Sequence, residues 1–280
     1  MIGLRDIDFL IIGAAKSATT WLQTALQADP RVRMPGPELH YFSRCYERGD
    51  AWYLGQFPVA EGSVVLGEKS NSYLDTPGAA GRIAEKLPHV HLIAQLRNPV
   101  ERAYSDYCML YRRGEVGRDL ESWLDPRVSA AGRFIAGGLY YRQLERFVDR
   151  FPRDRLHVLV YEQAVGRSGD VLDDLCGNLG LGRWNGTAAT GRVKDRAAPM
   201  APPRLKRALA CVRPWLEPYR STRAFQKVRA IVAREMQYPP FPPELRVRLH
   251  DYYAPANEGL ASAFGLDLSG WDPAAGRPET

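Results

Sequence analysis

The sequence predicts a doubly wound α/β fold, a parallel sheet with helices on both faces. Three observations carry this. Apolar runs at residues 9–14, 63–68, 91–96 and 156–161 are nearly continuous rather than alternating, as strands covered on both faces are. Segments with helical spacing, at 19–28, 77–87, 99–113, 139–150, 169–179 and 243–264, lie between and after those runs. The chain has 280 residues, 45% hydrophobic and 25% charged, enough to close a full-sized core around such a sheet.

Each element has a local reason. The first strand leaves through Gly13-Ala14-Ala15, and Lys16-Ser17-Ala18-Thr19-Thr20-Trp21 opens the first helix, with hydroxyl residues where a helix needs a cap. The third strand ends at Arg97-Asn98, and Pro99 starts the next helix because its missing N–H belongs to a position without an intrahelical partner. Pro239, Pro240, Pro242 and Pro243 break the chain before the last helix, where Leu245, Leu249, Tyr252, Tyr253 and Leu260 recur at core spacing. Residues 186–204 read as a loop within a variable basic region, 180–240, and 272–280 read as a flexible tail, so 1–271 are expected to form one domain. In such sheets ligands sit beyond the carboxyl ends of the strands. The chemistry is therefore expected just after the first three runs.

Charge and cysteine usage narrow the classes. Lys and Arg number 38 against 32 Asp and Glu, a net charge of +6, which favours an anionic partner. The excess is local: residues 192–234 hold twelve Lys or Arg and two acids, so the rest of the chain is net acidic. No helix-turn-helix, zinc-finger or aromatic RNA-binding signature accompanies it, so no nucleic-acid partner is expected. Cys45, Cys108, Cys176 and Cys211 stand far apart with no paired spacing, which suggests neither disulfides nor a metal cluster and points to a reducing compartment. The apolar run at 9–15 is too short to span a bilayer and ends at Lys16, so the protein is expected to be cytoplasmic, without a membrane span. Oligomeric state is not legible.

Two clusters carry chemistry. At residues 13–21 small side chains let the backbone approach a ligand, the helix N-terminus attracts an anion, and Lys16, Ser17, Thr19 and Thr20 add donors. A plain capped strand-to-helix turn is the alternative. A Walker A motif is excluded, because Lys16 comes three residues after Gly13 with no glycine immediately before it, and no Gly-Lys-Ser/Thr step places a hydroxyl on magnesium. In the second cluster Arg97 stands at the strand tip and Ser105 about two turns into the next helix, placed to close on one anionic group. Arg102 could instead pair with Glu101 or Asp106 on a solvated face.

Together these clusters resemble the 5′-phosphosulfate loop and the 3′-phosphate motif of the sulfotransferases that use 3′-phosphoadenosine 5′-phosphosulfate (PAPS). The stretches Pro37-Glu38-Leu39-His40-Tyr41-Phe42 and Gly67-Glu68-Lys69-Ser70-Asn71-Ser72-Tyr73-Leu74, with the C-terminal helix through Trp271, resemble the branch holding bacterial and heparan sulfate sulfotransferases. The resemblance implies a P-loop NTPase-like three-layer fold and PAPS as co-substrate. It implies that Lys16, Ser17, Ala18, Thr19, Thr20 and Trp21 bind the 5′-phosphosulfate and that Arg97 and Ser105 grip the 3′-phosphate. It also implies Glu38 as general base, with His40 and Lys69 beside the transferred group. Arg192, with Gly191 and Lys194, matches the family's late nucleotide loop.

The chemistry agrees with those residue types. Sulfuryl transfer to a hydroxyl needs a base for the acceptor proton, which Glu38 supplies, and cations for the charge building on the departing phosphate oxygen, which Lys16, Lys69 and His40 supply. The transferred group carries one negative charge, against about two for a phosphoryl group, so a magnesium clamp is less needed and no metal is expected. The expected acceptor is a hydroxyl on a carbohydrate or glycoconjugate; the alternatives are a lipid or small-molecule hydroxyl, a P-loop kinase, or a non-catalytic nucleotide binder. Tyr41, Phe42, Trp52, Tyr53, Tyr111 and Trp123 could stack on sugar faces or pack the core.

Overall fold

The computed structural model describes residues 2–58, 64–186 and 236–272. Five parallel strands, β1 (Ile7–Gly13), β2 (Val32–Arg33), β3 (Val65–Lys69), β4 (His91–Leu96) and β5 (Leu156–Val160), form one sheet in the order β2-β3-β1-β4-β5. The α/β expectation holds. All four expected strands are present, with Tyr161 beginning a helix instead of ending β5; β2, two residues long, carries too little pattern to be read. Residues 192–234 with Gly191, Arg192 and Lys194, and all of the expected tail except Asp272, lie outside the described residues.

Helices α1 (Thr19–Gln27), α2 (Gly49–Leu54), α3 (Ser72–Asp75), α4 (Ala79–Lys86) and α5 (Pro99–Arg113) follow the strands, and the long helix Pro243–Phe264 matches its expected bounds. The four- to six-residue helices, α2 and α3 among them, were not legible, since one turn cannot show a 3.6-residue period. Strand alternation divides the core. From β1, Leu10 and Ile12 face one apolar cluster with α4 residues Ala80 and Ile83, joined by Ile7 across a register shift between Ile7 and Phe9, whereas Phe9 and Ile11 face the other with Leu22 and Leu26 of α1. Five such fully buried β1 side chains contribute about 1.5–3 kcal/mol each. β5 departs from the expected double coverage: only its end residues Leu156 and Val160 are buried, because it is the sheet edge.

The strand order places the reactive end. The chain runs outward from β1 to β2, returns through β3, then crosses to β4 and β5, so the direction of winding reverses between β1 and β4. A crevice opens at such a switch point beyond the strand ends. The two loops lining it are those that the sequence singled out, after Gly13 and after Leu96.

Candidate active site

The loop after β1 curls tightly. Lys16 (φ 71°) and Ala18 (φ 59°) both adopt left-handed backbone, and α1 starts immediately after, so the positive end of its dipole lies at the carboxyl end of β1. Gly13 is required by close approach: a Cβ there would stand 2.7 Å from Leu74 Cβ and 3.3 Å from the Asn71 carbonyl. Glycine thus lets the segment after β3 press against the loop.

The β4 end is stitched to this loop. Gln95 Nε2 donates to the Ser17 carbonyl, Arg97 Nη1 donates to the Lys16 carbonyl at 3.4 Å, and the Tyr140 phenol donates to the Arg97 carbonyl at 2.9 Å. Burial lifts the Tyr140 phenol to about 12, so it remains a donor. Ser17 is fully buried and lies beside that phenol, whose proton goes to Arg97; its hydroxyl has no hydrogen-bond partner among the described residues. The Arg97 guanidinium lies 5.4 Å from the centre of the Tyr161 ring, and Lys16 Nζ lies 3.7 Å from Met109 Sδ. Ser105 is 7% exposed on α5.

Arg102 corrects one reading. It is not on a solvated face: 2% exposed, it donates to the Phe134 carbonyl and stands 3.8 Å from Asp106, with Gly137 packed against its guanidinium. The aromatic residues divide as well. Tyr41, Phe42 and Tyr53 are core, with Tyr41 stacked on Tyr53 at 4.5 Å, and cannot meet a sugar; Trp52, half-buried, carries Arg48 over its ring, and Trp123 is exposed.

A second cluster assembles from segments far apart in sequence. Glu38, in the loop after β2, accepts from Lys69 Nζ at 2.9 Å, from the Asn71 backbone N–H at 3.1 Å and from Asn71 Nδ2 at 3.2 Å. His40 Nε2 stands 3.8 Å from the same carboxylate. Burial alone would raise the Glu38 carboxyl, but the Lys69 bond and charge, the Asn71 amide and His40 outweigh it, so its pKa is lowered and it is ionised at neutral pH. Burial pulls the His40 imidazole below its usual range, against the pull of Glu38. Lys69 is buried rather than solvated: its side chain is 3% exposed and its ammonium is aimed at Glu38.

Asn71 joins the two clusters. Its Oδ1 accepts from the Thr19 hydroxyl at 2.7 Å while its amide holds Glu38. No role for Asn71 follows from its residue type; the only signal in the sequence is its position two residues after Lys69. Glu38, His40, Lys69, Thr19 and the Lys16 loop with Arg97 therefore form one connected site at the crevice. Among the described residues no group of three or more His, Cys, Asp or Glu is arranged to hold a metal ion, and no helix is long and apolar enough to cross a membrane.

A five-stranded parallel sheet flanked by helices carries a cationic loop and an ion-paired carboxylate beyond the carboxyl ends of its strands, the place where α/β proteins bind their ligands. Comparison with known proteins makes the class specific. The profile of the sulfotransferase family matches residues 53–186. Heparan sulfate glucosamine 3-O-sulfotransferase 6 of Mus musculus is 30% identical over 277 residues, covering 94% of this chain and 73% of that protein, and its Homo sapiens counterpart is 30% identical over 276 residues, covering 94% and 72%. The crystal structure of a sulfotransferase from Alicyclobacillus acidocaldarius superposes with a TM-score of 0.68 at 25% identity, covering 95% of this chain and 98% of that one. The chain belongs to the sulfotransferase family.

Proposed function

We propose that this sulfotransferase moves the sulfuryl group of PAPS onto a carbohydrate hydroxyl, with Glu38 as general base. The observation that carries the reading is the Glu38–Asn71–Thr19 link, which ties an ionised carboxylate to the first turn of the anion-binding loop. The donor set fits a polyanionic nucleotide. Lys16 and Arg97 are cationic, and Ser17, Thr20 and Ser105 add hydroxyls. Relatives that act on heparan sulfate support a glycan acceptor.

In this reading Lys16, the helix N-terminus and Ser17 orient the 5′-phosphosulfate, and Arg97 with Ser105 holds the 3′-phosphate. The acceptor oxygen forms its bond to sulfur as the bond from sulfur to the 5′-phosphate oxygen breaks. Glu38 takes the hydroxyl proton, and the departing phosphate oxygen takes up the negative charge, next to Lys16 and Lys69. Because Lys69 and Asn71 hold the Glu38 carboxyl below its usual range, proton transfer accompanies sulfur–oxygen bond formation, when the hydroxyl has become acidic. Supplying PAPS and a heparan sulfate oligosaccharide to the purified protein tests this. The expected result is a mass gain of one sulfate, and Glu38→Gln is expected to lose ~10²–10⁴ of that rate while binding the desulfated nucleotide within a few-fold. Turnover unchanged by Glu38→Gln removes the base role, and transfer only to lipids or phenols removes the glycan.

A further inference from the structure

Beneath the Glu38 cluster lies a buried acid that the mechanism above does not use. Glu68, on β3, has no solvent exposure. Its Oε1 accepts from the Tyr73 phenol and from the Tyr53 phenol at 3.4 Å, and its Oε2 accepts from the Ser70 hydroxyl at 3.0 Å. Ser70 is fully buried as well, and its oxygen accepts from the His40 backbone N–H at 2.8 Å. The direction of this chain is set by chemistry. A carboxylate only accepts, so the Ser70 proton turns toward Glu68, and the Ser70 lone pairs turn toward His40.

His40 needs such a hold. Its φ of 52° is left-handed, a region unfavourable for a residue with a Cβ and kept only where the surroundings over-determine it. Other restraints are the His40 carbonyl, which accepts from the N–H groups of Ser43 at 3.3 Å, Arg44 at 2.8 Å and Cys45 at 3.0 Å and from the Ser43 hydroxyl at 3.2 Å, and the imidazole, whose Nδ1 shares a hydrogen bond with the Ser72 hydroxyl at 2.7 Å and whose Nε2 stands 3.8 Å from Glu38. Ser70 holds the only backbone group among them on the N-terminal side of the bend. The bend at His40 sets the exit of the segment carrying Glu38, two residues earlier.

We propose that Glu68 is a positioning residue for sulfuryl transfer, acting through Ser70 to lock the bend at His40 and thereby the aim of Glu38 and His40. The proposal rests on the base role of Glu38. A protonated Glu68 would turn its own proton toward Ser70, taking the second Ser70 lone pair and leaving the Ser70 proton to seek a new acceptor, so the hydroxyl must rotate from the orientation that His40 uses. The groups facing Glu68 are the phenols of Tyr53 from α2 and Tyr73 from α3, both held protonated by burial, and the Glu38 charge; burial pushes the Glu68 carboxyl up to about 7.

The test compares Glu68→Gln, Ser70→Ala and the double variant, with PAPS and a heparan sulfate oligosaccharide as substrates. Each single variant is expected to lower kcat roughly 10- to 100-fold, the penalty for a misplaced catalytic group, with KM for PAPS unchanged. The double variant is expected to be no worse than the poorer single, since both cut one chain. Wild-type kcat is expected to fall on the acid side of about pH 7, and that limb is expected to vanish in Glu68→Gln. Ser70→Ala leaves both phenols on Glu68, so it carries the test if Glu68→Gln does not fold. A kcat within twofold of wild type in both single variants, while Glu38→Gln is inactive, overturns the positioning role and leaves the base role standing. Full activity of Glu38→Gln overturns the base role first and, with it, this proposal.

Discussion

The two halves of the proposed site, one for the sulfuryl donor and one for the acceptor, are built in opposite ways. The donor half is one continuous stretch, Gly13 to Trp21, closed by Arg97, and its ties are largely to main-chain carbonyls: Gln95 to Ser17, Arg97 to Lys16, and Tyr140 to Arg97. The acceptor half is side-chain chemistry gathered from separate segments, with Glu38 after β2, Lys69 at the end of β3 and Asn71 just beyond it. A main-chain cradle tolerates changes of side chain but not of backbone shape. A side-chain cluster tolerates the reverse, so the two halves should fail differently under mutation.

The largest effect is expected in the acceptor half, in the rate lost by Glu38→Gln with nucleotide affinity preserved. Arg97→Ala should do the opposite. Removing a charge-assisted partner of a phosphate is expected to weaken binding of the desulfated nucleotide by about 1.5–3 kcal/mol, measured by calorimetry, with equal loss for an analogue lacking the 3′-phosphate refuting the contact. Gly13→Ala probes the junction of the halves. With Leu74 Cβ only 2.7 Å from the new methyl, overpacking of about 1–3 kcal/mol should appear as a lowered Tm. An unchanged Tm would show that the segment after β3 does not press on the loop.

The smallest effect lies at the far ends of β4 and β5, outside the site. Arg155 donates to His91 Nε2 at 2.8 Å, so His91 carries its proton on Nδ1 and donates it to His157 Nε2 at 2.8 Å. Burial, the His91 neighbour and Arg153 pull the His157 imidazole down to about 4 from an ordinary 6.5. The unfolded chain therefore binds a proton that the folded chain refuses. This contribution to stability is complete above about pH 6.5 and is lost as pH falls toward 4. Urea midpoints are expected to fall over that window and to fall less in His157→Gln. A parallel decline in both proteins would remove His157 as the cause.

Much of the donor half was legible because its chemistry is local. Small residues, a lysine, hydroxyls and a helix start are adjacent in sequence, and Pro99 marks the helix after Arg97 by its own covalent geometry. The acceptor half was legible only as separate short stretches. Nothing in the local pattern told that Lys69 is buried against Glu38, that Asn71 bridges Glu38 to Thr19, or that Arg102 is interior. Glu68 looked like a strand residue beside a more interesting lysine.

By itself the sequence determined the longer elements, the parallel α/β class and the position of the loop after β1, because hydrophobic period and turn chemistry act over a few residues. Only the tertiary structure decided which carboxylate is ionised and which is pushed toward neutrality. Glu38 and Glu68 are the same residue type within one small region, yet an ammonium and two amide donors hold one down while full burial among hydroxyls lifts the other. Ionisation depends on what surrounds a group in three dimensions, and for Glu38 those neighbours, Lys69 and Asn71, stand 31 and 33 residues along the chain.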